Sequence, residues 1–211
     1  MSTRMFLAGA VIIVLVMVGY IVFGPELGKQ ELAIAETKQE VLNEIKSSKD
    51  YAEKTAGWMG IEGAETDIGY FNPPEEKESK DARLDVLKYF ITGLLANDMD
   101  IFLSSFNPET ISKDLFQSEI SDKTEVAKEM MNRISRNGQI TDVNYRVEKG
   151  SLKTNERNKL SVTFTYSDKK KAKIKLDIIP FSDAHHDDKE SIFVITTSTW
   201  DLIKDIEKST N

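Results

Sequence analysis

The sequence predicts an α+β protein: an N-terminal transmembrane helix and a helical stalk, then helices packed on a curved antiparallel sheet of about four strands. Three features carry this expectation. Met5–Phe23, MFLAGAVIIVLVMVGYIVF, holds no charged residue. Between Leu84 and Ile134 apolar residues recur at helical spacing. From Val143 onward the period drops to two.

As a helix rising about 1.5 Å per residue, the apolar stretch reaches roughly 28 Å, close to the hydrocarbon core of a bilayer. It is longer than a signal-peptide core, and the small-x-small match downstream, Ala33-Ile34-Ala35, lies ten residues past it. An uncleaved anchor is the expectation. Arg4 precedes the stretch without an acid, whereas Glu26, Lys29, Glu31, Glu36 and Lys38 follow in mixture. That bias puts the N-terminus in the cytoplasm and the C-terminal domain outside the cell membrane, single-pass. The chain then divides into a cytoplasmic tail (1–4), a span (5–24), a stalk (25–56), a linker (57–80) and a domain (81–211).

Composition bounds the partners. With 28 Lys+Arg against 35 Asp+Glu, the formal net charge is -7, which argues against general nucleic-acid binding. There is no Cys, which suits an exported domain that uses no disulfides.

Gly24-Pro25 ends the span, because Pro lacks the amide donor and clashes with the preceding turn. From Glu26 to about Thr55 the composition reads helical. Leu27, Ile34 and Val41 recur every seven residues and Leu42 and Ile45 extend the strip, but Gln30, Thr37 and Glu44 make a poor coiled coil. The strip meets either a partner helix or its own domain. Gly57, Gly60, Gly63, Gly69, Pro73 and Pro74 mark a linker, yet Trp58, Met59, Ile61, Tyr70 and Phe71 stand within or beside it. These five either dock on the domain or form an anchor for another protein, where Trp and Tyr are over-represented.

Leu84, Leu87, Phe90, Ile91, Leu94 and Leu95 give an amphipathic helix ending near Asn97. Asn97-Asp98-Met99-Asp100 supplies caps for a short helix with Ile101, Phe102 and Phe106, and Asn107-Pro108 stops it. Asp122 and Glu125 form a capping box for a third helix through Val126, Met130 and Ile134, which Asn137-Gly138 ends. Val143–Val147, Leu160–Tyr166, Ala172–Ile178 and Ser191–Thr199 then read as strands, with Trp200 opening a closing strand or helix. Short connections make the strands antiparallel neighbours, one face on the helices and one wet.

The run DVLKYFITGLLANDMDIFLSSFNP, followed by a third helix and four strands, resembles the nuclear-transport-factor-two-like (cystatin-like) cone fold over roughly residues 81–208. With a short tail, one span and a stalk added, the layout resembles the VirB8-like assembly proteins of type IV secretion and conjugation machines. The resemblance implies a non-enzymatic scaffold. Fold alone does not settle function, since the same fold hosts isomerases, dehydratases and ligand binders.

Enzymes of that fold place an Asp, Tyr or His inside the cone. Tyr89 and Tyr145 read as core aromatics with a hydroxyl at the rim, Asp98 and Asp100 as caps, and Asp177 as solvent-facing in register with Lys173 and Lys175. No carboxylate falls alone on an apolar face, so no catalytic residue is expected. His185 and His186 in SDAHHDDKE read as a polar hairpin loop, and no metal or cofactor is expected.

Lys169, Lys170, Lys171, Lys173 and Lys175 line the turn and wet face of one strand. Lys171, Lys173 and Lys175 fit an acidic partner, lipid headgroups or wall polymer, and equally serve as ordinary protection against edge pairing. The functional expectation is a membrane-spanning component that binds other subunits of an envelope complex, with self-association. A membrane-tethered small-molecule binder or enzyme, and an accessory protein holding lipid or wall polymer through the lysine strand, are the alternatives.

Overall fold

Helix and strand boundaries follow the polar side chains that satisfy free backbone groups. The computed structural model describes residues 29–58, 81–148, 159–181 and 192–210. Gln30–Leu32 is a short strand, β1, and Ile34–Trp58 is a helix, α1. Local composition predicts helix across Gln30–Leu32, but sheet pairing overrides it: β1 lies at the sheet edge beside the next strand in sequence, and Leu32 is buried in the core.

Asp81 accepts a hydrogen bond from the Arg83 amide (3.1 Å) and opens α2 (Ala82–Ala96). Asn97 ends it in the left-handed region at φ 53°, donating its N–H to the Gly93 carbonyl. Asp98 caps α3 (Met99–Ser104). Asn107-Pro108 follows the end of α3, as expected, and also starts the next helix. The Asn107 side chain accepts from the Glu109 and Thr110 amides, and Pro108 takes the first position of α4 (Pro108–Gln117), where its missing N–H costs nothing. Asp122 caps α5 (Lys123–Ser135), which ends in a left-handed run at Arg136, Asn137 and Gly138.

The strands are β2 (Ile140–Val147), β3 (Lys159–Tyr166), β4 (Lys171–Phe181) and β5 (Ile192–Ile195), and α6 (Thr199–Thr210) closes the chain. The sheet therefore has five strands in sequential order β1-β2-β3-β4-β5, one more than expected because β1 joins it. The fourth expected strand is shorter than Ser191–Thr199, and Trp200 belongs to a helix.

Register fixes which side chains face the helices. β2 pairs with β3 so that Val143 faces Phe164 and Tyr145 faces Val162. β3 pairs with β4 so that Leu160 faces Leu176 and Val162 faces Ile174. All these side chains are buried. Phe90, Phe102 and Phe106 pack above them with ring centroids 5.2 to 5.8 Å apart. Gly93 lets α2 and α3 touch: a Cβ there would stand 2.5 Å from the Phe102 amide nitrogen. α6 lies along β4 and α5.

The strip on α1 meets its own domain. Thr37 and Val41 are buried, the Lys38 ammonium donates to the Leu95 carbonyl (3.1 Å), and Lys88 pairs with Glu40 (3.2 Å). Glu31–Asn211 forms one unit that includes this helix.

The apolar stretch Met5–Phe23 lies outside the described residues. Among the described residues, no helix is long and apolar enough to cross a membrane.

Candidate functional site

Inside the layer, local structure accounts for each residue that cone enzymes would use. Asp98 accepts from the Ile101 amide (3.1 Å), and Asp100 sits in the first turn of the same helix. Tyr145 is buried in the core; burial, then the nearby Asp81 charge, pushes its phenol up. Tyr89 hydrogen-bonds Glu44 across the α1–α2 seam. Burial raises the Tyr89 phenol, aided by the Glu44 charge. Burial also raises the Glu44 carboxyl, against the Tyr89 hydrogen bond.

One buried carboxylate contradicts the sequence expectation that none falls on an apolar face. Asp114 on α4 is only 4% exposed. Its carboxylate accepts from the Ser198 hydroxyl (2.8 Å), the Thr199 amide (2.6 Å) and the Thr199 hydroxyl (2.7 Å). Its backbone carbonyl accepts from the Trp200 indole (2.9 Å). These bonds place a negative charge at the first turn of α6, where the helix dipole and free amides stabilise it. Asp114 therefore clasps α4 to α6. The spacing Ile111, Asp114, Leu115 after a capped start at Asn107 was the available signal.

The outer face of the sheet has a different character. Lys171, Lys173 and Lys175 alternate with buried Ala172, Ile174 and Leu176, and all three are exposed. Their partners on β3 are Thr165, Thr163 and Ser161. One strand further, Arg146 faces Ser161 and Asn144 faces Thr163. The face thus carries a row of ammonium groups, a row of hydroxyls, and an Arg in line with the last of each. No family model, curated protein or solved structure matches the chain.

Arg83, Lys88, Lys113, Arg133 and Arg136 each pair with a carboxylate at 2.6 to 3.3 Å. Among the described residues, Arg146, Lys159, Lys171, Lys173 and Lys175 make no ion pair of that kind. Ser161, 4% exposed between Arg146 and Lys175, has a buried hydroxyl without a hydrogen-bond partner. Asp142 on the same face is engaged by the Asn144 amide (2.5 Å) and the Thr165 hydroxyl (3.4 Å). Lys170, next to the row, instead reaches the Thr210 carbonyl at the end of α6.

Other candidates fall elsewhere. Trp58 is the last residue of α1; its side chain, with Met59, Ile61, Tyr70, Phe71, His185 and His186, lies outside the described residues. A surface groove of about 700 Å³ between α5 and α6 is lined by Arg133, Arg136, Glu129 and Glu207. Its arginines are occupied, Arg133 by Glu129 and Glu207 and Arg136 by Asp168. Among the described residues, no three His, Cys, Asp or Glu side chains group to hold a metal ion.

Proposed function

We propose that this chain is a non-enzymatic assembly component: its α+β domain binds other protein subunits through its surface, and Met5–Phe23 tethers it to the cell membrane with the domain outside. The observation that carries the reading is the filled interior. Phe90, Phe102, Phe164 and Tyr166 are fully buried between helices and sheet, and the Tyr166 hydroxyl is spent on the Ile134 carbonyl (3.0 Å). The buried Asp114 carboxylate is occupied at both oxygens by α6. Recognition then belongs to the outside of the domain. The uncharged run of the N-terminal segment supports the tether, and the layout supports a type IV secretion or conjugative channel as the host assembly.

Crosslinking of the full-length protein in its own membranes, with adducts identified by mass spectrometry, tests this. Adducts to a secretion ATPase or channel subunits are the expected result. A protein released by alkaline carbonate, or one that yields no heterologous adduct, overturns the tether or the assembly role respectively.

A further inference from the structure

The outer face of the sheet holds charges that the folded chain does not use, and their arrangement specifies a partner. Lys171, Lys173 and Lys175 repeat every second residue along β4, so their ammonium groups recur at about 6.8 Å. An extended peptide presents its own alternate side chains at the same interval. The neighbouring β3 supplies the half-buried Thr163 beside that row, whereas the Ser161 hydroxyl is buried. Beyond Lys175 the next outward residue is Asp177, which ends the run of positive charge at that end of the strand.

We propose that this face is a docking strip for an extended acidic segment of a partner subunit, in which Asp or Glu occupies alternate positions. The inference rests on the reading of the domain as an interaction module and names the chemistry of its partner. The segment lies along β4 with three carboxylates over Lys171, Lys173 and Lys175, and the Arg146 guanidinium closes the end beside Ser161. A single row matched to an extended chain favours a peptide over a bilayer. A lipid surface rewards cations spread over an area.

The test uses the full-length protein in a nonionic detergent and two synthetic peptides of eight residues. One alternates Glu with Thr; the other has the same composition with all Glu first. Calorimetry at about 50 mM salt is expected to show the alternating peptide binding about fivefold tighter or more, with the advantage lost at about 500 mM. Substituting Lys171→Ser, Lys173→Ser and Lys175→Ser together is expected to weaken it about tenfold, while Arg at the same positions retains binding. Equal affinity for the two peptides, or no binding, overturns the strip. Lysine-dependent binding to vesicles of phosphatidylglycerol without binding of the peptide also overturns it, in favour of a membrane surface.

A photo-crosslinker at Thr163, and another at Phe116 on the opposite layer, distinguishes failure of the strip from failure of the interaction module. Adducts at Thr163 that map to an alternating acidic segment support the strip. Adducts at Phe116 alone remove the strip and leave the interaction module standing. No adduct at either position removes both.

Discussion

Asp114 shows how one side chain can decide a junction. Asp114→Ala leaves the Thr199 amide and hydroxyl without their acceptor at the start of α6. The expected loss is about 2 to 3 kcal/mol, read as a lower urea midpoint by circular dichroism with the slope unchanged. Two other carboxylates act on α2 with opposite pH dependence. Burial raises Glu44 above 4.5, so the folded chain holds its proton more tightly than the unfolded chain. Its contribution is present at low pH and lost as pH rises through the raised value. The Arg83 hydrogen bond lowers Asp81, so its contribution is present above the usual carboxylate range and lost as pH falls through the lowered value. Glu44→Gln should therefore gain stability relative to the parent as pH rises through and above the ordinary carboxylate range, measured by urea unfolding at each pH. A constant difference across that range would remove the assigned cause.

At the scale of the element, the α2–α3 contact is the tightest test of packing. Gly93→Ala puts a Cβ 2.5 Å from the Phe102 amide nitrogen and 2.7 Å from its Cα, and backbone cannot swing aside as a flexible side chain can. A loss of about 3 kcal/mol is expected, seen as a fall in thermal midpoint. Gly93 carried no visible mark in the sequence, because its role is defined by Phe102, a residue on another helix. Elements with a local cause were legible: the caps at Asp98 and Asp122, the alternation of β3 and β4, and the outward lysines all follow from spacing of two, three or four residues. β1 and α4 were not. β1 exists because a sheet edge is there to receive it, and α4 because Asn107-Pro108 can either end one helix or begin another. The same limit hid Asp114, whose partners lie 84 and 85 residues away in the chain.

For the whole molecule, α1 belongs energetically with the sheet and helices that follow it. Val41 and Leu32 are buried, and Lys38 and Glu40 reach α2. A fragment beginning at residue 81 should be less stable than one beginning at residue 29 by about 3 kcal/mol, the worth of two buried aliphatic side chains. Urea titration of the two fragments checks it, and equal midpoints would mean that α1 only rests on the surface. The outer face, by contrast, was readable as a charged strand from sequence, but the unpartnered Ser161 and the alignment with Arg146 required the β2–β3–β4 register. The Trp200 indole is seated where α4 meets α6, bonded to the Asp114 carbonyl and with the Arg133 guanidinium 5.6 Å from its ring centre. The chain has two tryptophans, so replacing Trp58 by Phe leaves a single tryptophan, at that seam. Its emission wavelength and quenching would then report the opening of one junction optically, with no label attached.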